Sequence, residues 1–271
     1  MSYTKQGINY GIGALPVANI EADLTYLRQH FDFIRITYPA FNQSQASIDY
    51  WKDVCVRAKA KGFFVMWGIY CPTANIKDWY KFLQTFIDLA PWAAANGIVF
   101  GVNESLHGDP TIVPQEQAIK DLHTAARIAK LNSPTVKLHV SLSDAELTPF
   151  ITVSGTGGAG RGAFDFICLN QYNDITTYKA NVNQLTAAYG TATRITEFNT
   201  GRGFDPAFPP YNEAGWKADI KERSDHNQAS QVQAFLFYTY DYNPEGSGKW
   251  NMRTGQNPET QHEAFDLFKK P

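Results

Sequence analysis

The feature that most constrains the fold of this chain is a regular alternation of short apolar segments with longer segments of helical periodicity. The short segments are four to seven residues long and rich in Val, Ile and Phe, as in FVMWG, IVFGV and AFLFY. Strands that are apolar throughout are typical of parallel sheets whose two faces are both covered. The predicted strands are eight in number: Ile8 to Gly13, Phe33 to Thr37, Phe63 to Gly68, Ile98 to Val102, Lys137 to Leu142, Phe164 to Leu169, Thr193 to Thr196 and Ala234 to Tyr240.

The segments between these strands have the apolar spacing of amphipathic helices. The predicted helices are Ile20 to His30, Ile48 to Lys61, Ile76 to Asn96, Pro114 to Leu131, Thr177 to Tyr189, Glu213 to Ser224 and Glu259 to Lys269. Only the fifth connection, Ser143 to Ala163, has a poor helical pattern. Its Gly-rich part, Ser154 to Gly162, is predicted to be a mobile loop, with a role as a lid left open.

Eight β-then-α units in 271 residues match a closed (β/α)8 TIM barrel of the α/β class in both number and size. No linker divides the chain, so residues 1 to 271 are predicted to be one catalytic domain. An open, doubly wound sheet is the alternative architecture that this pattern allows.

The composition excludes several functional classes. The net charge is −2 and no block of Lys or Arg occurs, so nucleic acid is not an expected partner. The longest apolar run, Gly62 to Tyr70, is too short to span a membrane. Cys55, Cys71 and Cys168 have no paired spacing and are expected to be small buried residues. A cytoplasmic and a secreted location both remain open, as does the oligomeric state.

The active site of such a barrel lies at the carboxyl ends of its strands, so the polar residues that end each apolar run are the candidates for chemistry. Two of them are glutamates, Glu104 after the fourth strand and Glu197 after the seventh. Asp144 and Glu146 after the fifth strand are instead interpreted as carboxylates at a helix start. Other candidates at the strand ends are Arg35, Trp67, Asn103, Asn170, Tyr172 and Tyr240.

Two opposed carboxylates can hydrolyse an acetal, because one protonates the departing oxygen while the other attacks or stabilises the positive centre. The chain is also rich in aromatic residues, 14% of the total. Tyr and Trp rings stack on the apolar faces of sugars, so this excess fits a carbohydrate site.

These residues resemble the clan A glycoside hydrolases, the 4/7 superfamily. In that clan an Asn-Glu pair ends strand four, as Asn103 and Glu104 do, and a nucleophilic Glu ends strand seven, as Glu197 does in TEFNTG. Arg35 after strand two and Tyr172 after strand six also match. The clan's Trp after strand eight has no direct counterpart, and Tyr240 or Trp250 is expected in its place. The family within the clan is left unassigned.

The resemblance implies retaining hydrolysis of β-linked, glucan-like or mannan-like chains. We expect endo action, because short loops would leave a groove rather than a pocket. Glu104 would be the general acid and then the base, Glu197 the nucleophile, and Asn103 the ligand of the sugar 2-hydroxyl. Arg35 and Tyr172 would favour the ionised nucleophile. The carboxyl groups of Glu104 and Glu197 would lie about 5 Å apart.

Two other functions remain open: a carbohydrate-binding barrel without turnover, and a barrel lyase or isomerase that uses Glu197 as a base. The presence of both glutamates favours hydrolysis. The histidines have no metal-binding spacing, so neither a metal nor another cofactor is expected. His107 and His139 are interpreted as loop or core histidines rather than sugar ligands.

Overall fold

The computed structural model describes residues 6–10, 20–36, 44–71, 75–103, 111–198 and 213–236. Within these ranges, eight parallel strands pair in sequence order, and the last pairs with the first, so the sheet is a closed barrel. This closure confirms the predicted barrel and makes the open-sheet alternative wrong. The strands are β1 (Gln6–Tyr10), β2 (Phe33–Ile36), β3 (Phe64–Ile69), β4 (Val99–Asn103), β5 (Lys137–Leu142), β6 (Phe166–Gln171), β7 (Thr193–Phe198) and β8 (Gln233–Leu236).

The helices of the described residues lie between consecutive strands. They are α1 (Ile20–Arg28), α2 (Gln45–Ala60), α3 (Ile76–Ala95), α4 (Gln115–Asn132), α5 (Asp144–Ser154), α6 (Gly157–Arg161), α7 (Ile175–Tyr189) and α8 (Glu213–Ala229). Several begin at a side chain that accepts a bond from the first turn, such as Asn75 before α3 and Asp174 before α7. The predicted helix Glu259 to Lys269 lies outside the described residues, as do the predicted strand ends at 11–13 and 237–240.

The fifth connection was predicted wrongly, because it contains two helices, α5 and α6. Its helical pattern is obscured by Pro149 and by a run of β-branched residues, yet Leu147 and Phe150 are buried and anchor α5. The Glu146 carboxylate accepts a bond of 2.6 Å from the Ser143 N–H, which confirms that this acid serves the helix start.

The Gly-rich segment Ser154 to Gly162 is also not a loop lid. Its residues Gly157–Arg161 form α6, which lines a cavity together with Phe64, Val99 and Lys137 at the beginnings of their strands. This is the opposite end of the barrel from the strand ends that carry the candidate site. The segment therefore covers the amino-terminal face of the barrel.

The barrel interior has an apolar half and a polar half. Near the strand beginnings, Met66, Val99, Cys168 and Phe235 pack together with the rings of Phe33, Phe64 and Phe166. Nearer the carboxyl ends, the buried interior side chains are polar: Asn9, Arg35, Asn103, His139, Ser141, Asn170, Thr196 and Glu197. The apolar half closes the barrel below the polar half, which is consistent with a site at the carboxyl end.

The larger apolar core lies between the barrel and the surrounding helices. Outward-facing strand residues such as Ile34, Val65 and Val140 pack there against helix residues such as Trp51 and Phe86. Cys55, Cys71 and Cys168 are buried and free, as expected. Among the described residues, we find no helix with the length and apolar character needed to cross a membrane.

Candidate active site

A β-bulge in β7 places Glu197 inside the barrel. Ile195 and Phe198 both pack in the outer core, so two residues, Thr196 and Glu197, separate two outward-facing positions where regular alternation allows one. The register shifts at this point against both β6 and β8. A bulge of this kind re-aims a side chain. Without it, the alternation would send Glu197 toward the helices.

Glu197 is buried, with 2% of its surface exposed, and each of its carboxylate oxygens accepts a hydrogen bond. The Arg35 guanidinium, from β2, donates from Nη1 to Oε1 at 2.5 Å. The Tyr172 hydroxyl, just after β6, donates to Oε2. Both contacts stabilise negative charge on the carboxylate, and together they hold it in one orientation.

Arg35 also binds two asparagines on other strands. Its Nη1 donates to Asn9 Oδ1 at 2.8 Å, and its Nη2 donates to Asn103 Oδ1. Asn103 is fully buried at the end of β4. The contact with Arg35 uses the amide oxygen of Asn103, and this orients its Nδ2 group as the donor of that side chain.

Below Glu197 a row of polar groups crosses the barrel interior. The Thr196 hydroxyl lies 2.8 Å from Asn170 Oδ1 and 3.0 Å from Ser141 Oγ, and Ser141 Oγ lies 3.3 Å from His139 Nδ1. His139 Nε2 lies 3.1 Å from the Trp67 carbonyl oxygen. Since a carbonyl only accepts, Nε2 carries the proton and Nδ1 accepts from Ser141.

The imidazole of His139 is electrically neutral at ordinary pH. Burial, and to a smaller extent the positive charge of Arg35, together lower its pKa to about 3. It fits the barrel because Gly68 and Gly101 stand beside it. A Cβ on Gly101 would lie 2.6 Å from the ring and 2.1 Å from the His139 carbonyl oxygen. His139 is thus a buried core histidine rather than a sugar ligand, which confirms the interpretation made from the sequence.

The structure brings Arg35, Asn103, Tyr172 and Glu197 together, with Asn170 one hydrogen bond from the residue before Glu197. It contradicts the predicted sugar contact of Trp67. That ring is fully buried on the outer side of β3, with its centroid 5.4 Å from both Trp92 and Phe100. Glu104, His107, Tyr240 and Trp250 lie outside the described residues.

Asn9 and Thr196 are the residues of this constellation that the sequence analysis missed. Asn9 donates from Nδ2 to the Thr196 carbonyl oxygen at 3.1 Å. A signal for Asn9 exists, because it is an inward-facing polar position directly after Ile8, near the end of β1. Thr196 is also an inward-facing polar position, but its contacts beside the irregular point of β7 cannot be read from the sequence. Among the described residues, no three His, Cys, Asp or Glu side chains group together as metal ligands.

The arrangement supplies a fixed carboxylate at the mouth of a barrel, with a cation and a phenol hydroxyl beside it. Such a carboxylate can attack or stabilise an electron-poor carbon, because its oxygens are already oriented and the surrounding groups need not reorganise.

Comparisons with known proteins show relatives by fold rather than by sequence. No family model matches this chain, and no curated protein matches it either. Among solved structures, Cel5A of Thermotoga maritima, solved in complex with cellobiose, matches with a TM-score of 0.66 at 9% identity over 97% of this chain and 96% of that one. A broad-specificity GH5-4 endoglucanase from Clostridium acetobutylicum matches with a TM-score of 0.59 at 12% identity, covering 86% and 87%.

An FMN-binding beta-glucuronidase from Facaelibacterium prausnitzii L2-6 is similar over part of its length only. The TM-score is 0.64 at 16% identity, and the match covers 98% of this chain but 43% of the glucuronidase. This chain thus spans less than half of that protein. At these identities the similarity shows a shared barrel fold.

Proposed function

We propose that this chain is a retaining glycoside hydrolase of clan A that cleaves β-linked glycans, glucan-like or mannan-like, in an endo manner. The observation that carries the proposal is the setting of Glu197, which a bulge turns into the barrel mouth between Arg35 and Tyr172. A surface glutamate that merely begins a loop would not be buried and held by two donors from separate parts of the barrel.

The fold comparisons support the same reaction class. The solved barrels to which this one is similar are named as an endoglucanase, a cellobiose complex and a beta-glucuronidase. All three names concern β-linked sugars. Arg35, Asn103, Tyr172 and Glu197 stand at the ends of strands two, four, six and seven, in the order that the clan resemblance requires.

In the proposed reaction, a Glu197 oxygen attacks the anomeric carbon, and the bond from that carbon to the departing glycosidic oxygen breaks. Glu104 gives its proton to the departing oxygen. Water then loses a proton to Glu104 and hydrolyses the glycosyl ester, which frees Glu197 and retains the anomeric configuration. Asn103 would donate from its Nδ2 group to the sugar 2-hydroxyl.

The first test replaces the nucleophile. We expect Glu197→Ala to lower kcat by at least about 10⁴-fold on a β-glucan or β-mannan, because the covalent path is removed. Azide should restore turnover and give a glycosyl azide of inverted configuration. Glu146→Ala is the matched control, since Glu146 is an equally buried glutamate that serves a helix start. Unchanged activity of Glu197→Ala would refute the assignment.

The second test concerns the acid. Glu104→Ala should retain turnover of aryl glycosides with activated leaving groups, which need no protonation, and should stall on polysaccharide. An equal loss on both substrates would contradict the role of Glu104. Product sizing on β-glucans, mannans, xylan and galactans with the unmodified enzyme would identify the sugar and separate endo from exo action.

A further inference from the structure

The residue before the candidate nucleophile has both its hydroxyl and its carbonyl oxygen engaged, and each partner belongs to a different strand. The Thr196 hydroxyl reaches Asn170 on β6 and Ser141 on β5. Its carbonyl oxygen accepts from Asn9 Nδ2 on β1 at 3.1 Å and lies 3.4 Å from Arg35 Nη1 on β2. Thr196 is fully buried.

These contacts lie at the irregular point of the strand. Regular β7 geometry would place Thr196 inside the barrel and Glu197 outside, so the inward aim of Glu197 depends on the bulge. A bulge disrupts the ladder hydrogen bonds around the extra residue. The side-chain contacts of Thr196 hold the backbone where the ladder does not.

The row of groups beyond Thr196 is itself fixed. Ser141 contacts the neutral His139, which is held by the Trp67 carbonyl and by the space that Gly68 and Gly101 leave. Neither glycine can gain a Cβ without displacing backbone or ring atoms. The Thr196 hydroxyl therefore donates to Asn170 and lies 3.0 Å from a serine that is itself held by this rigid histidine.

We propose that Thr196 is a positioning residue for Glu197: its hydroxyl and carbonyl fix the bulge that aims the carboxylate at Arg35 and Tyr172. The inference rests on the proposed function for its kinetic consequence. Its structural consequence, the place of the Glu197 carboxylate, is independent of that function.

Thr196→Val tests this, because valine keeps the branched shape and removes only the hydroxyl. A misplacement of about 1 Å in a reacting group can cost about 100-fold in rate, so we expect kcat to fall by about 10- to 100-fold with KM nearly unchanged. The loss should be as large on activated aryl glycosides as on polysaccharide, because attack by Glu197 is affected and proton donation is not. Thr196→Ser should restore most of kcat.

Thr193→Val is the matched control. Thr193 is buried on the same strand, and its hydroxyl donates to the Leu185 carbonyl oxygen at 3.2 Å, away from the site. We expect this variant to lose thermal stability to the same extent as Thr196→Val and to keep its kcat. If the two valine variants have the same kcat, whether both keep it or both lose it to the same extent, the positioning role is overturned.

Crystal structures of the same variants separate this inference from the proposed function. If the unmodified protein cleaves no β-glycan, the proposed function fails, and the inference is decided by the coordinates alone. It requires the Glu197 carboxylate to leave its 2.5 Å contact with Arg35 in Thr196→Val and to keep it in Thr193→Val. An unmoved carboxylate in Thr196→Val overturns it.

Discussion

Arg35 connects four strands through one guanidinium group. It lies on β2 and donates to Asn9 on β1, Asn103 on β4 and Glu197 on β7. The planar fork of Arg can bond several acceptors at once, whereas the single ammonium of Lys cannot occupy the same positions. The side chains of Arg35 and Glu197 are each 3% exposed, so this is a buried ion pair.

Removal of one member of a buried pair leaves the other charge without compensation. We therefore expect Arg35→Met to lower the free energy of unfolding by about 3 kcal/mol, and we expect Arg35→Met/Glu197→Gln to recover at least about half of that loss. Urea unfolding of the two single variants and the double variant measures this coupling.

Arg28→Met is the control for the Arg35 experiment. Arg28 pairs with Asp32, but these side chains are 34% and 49% exposed, so the loss should stay below about 1 kcal/mol. Similar losses for Arg28→Met and Arg35→Met would contradict the importance assigned to the buried pair.

At the residue scale, the sequence predicted those members of the site that end a regular strand. Arg35, Asn103 and Tyr172 follow apolar runs whose ends can be read directly. Trp67 also ends a run, but it lies on the outer face of β3, and side-chain alternation assigns it there once Met66 is known to face inward. Thr196 was missed because its importance depends on its place beside the bulge that turns Glu197 inward, and a bulge has no reliable sequence pattern.

At the scale of secondary-structure elements, Asp165 joins three segments at the amino-terminal face of the barrel. Its carboxylate accepts from Lys130 at the end of α4, from Lys137 at the start of β5 and from the N–H of Leu138. Burial raises the pKa of Asp165, but the bonds from Lys130, Leu138 and Lys137 outweigh burial and hold the pKa below its ordinary value.

A depressed carboxyl pKa contributes stability above the unfolded value of 3.8, and this contribution is lost as the pH falls through the folded value. We expect Asp165→Asn to lower the free energy of unfolding by about 1 kcal/mol at pH 7, after allowance for solvent screening of this half-buried group. The difference from the unmodified protein should shrink below pH 4 in urea unfolding experiments.

Asp49→Asn provides the comparison for Asp165. Asp49 is 58% exposed and lies 3.7 Å from Lys52, so its replacement should change little at either pH. A pH-independent loss in Asp165→Asn would show that its charge is not the stabilising feature.

The connection between β5 and β6 shows where element prediction failed. Pro149 and the segment ITVS disfavour a helix locally, so periodicity alone indicated a loop. Burial of Leu147 and Phe150 against the barrel, together with the bond between Glu146 and the Ser143 N–H, overrides that preference. Tertiary contacts of this kind cannot be derived from the segment itself.

At the scale of the whole molecule, the barrel carries a neutral histidine in its polar half. Burial and the nearby Arg35 lower the pKa of His139 to about 3, well below the value of 6.5 of an exposed histidine. The unfolded chain therefore binds a proton at this position below about pH 6.5 that the folded barrel does not bind.

The free energy of unfolding should consequently fall as the pH decreases from 6 toward 4. One such histidine contributes about 1.4 kcal/mol per pH unit in this range. In His139→Gln, the slope of the unfolding free energy against pH should decrease by the contribution of about one proton relative to the unmodified protein. Urea unfolding at steps of half a pH unit measures this slope. His123, whose pKa is also lowered by burial, provides the comparison through His123→Gln, with a smaller change in slope expected. An unchanged slope in His139→Gln would contradict the neutral buried state.

The whole architecture was predictable because it depends on a count and an order rather than on exact boundaries. Eight apolar runs separated by helix-length segments suffice to predict a closed barrel, although β6 begins and ends two residues later than expected. The division of the barrel interior into an apolar half and a polar half was not predictable in the same way. It depends on the register that pairs Gly68 with Gly101 and Gly101 with His139.

The account depends most on Glu197 as the group that bonds to the sugar, and covalent trapping measures this directly. After incubation with an activated 2-deoxy-2-fluoro-β-glycoside of the preferred sugar, the protein would be digested and its peptides analysed by mass spectrometry. We predict that the peptide containing Glu197 carries one fluoroglycosyl group and that labelling abolishes turnover. Label on another carboxylate, or inversion of configuration without any trapped ester, would contradict the account.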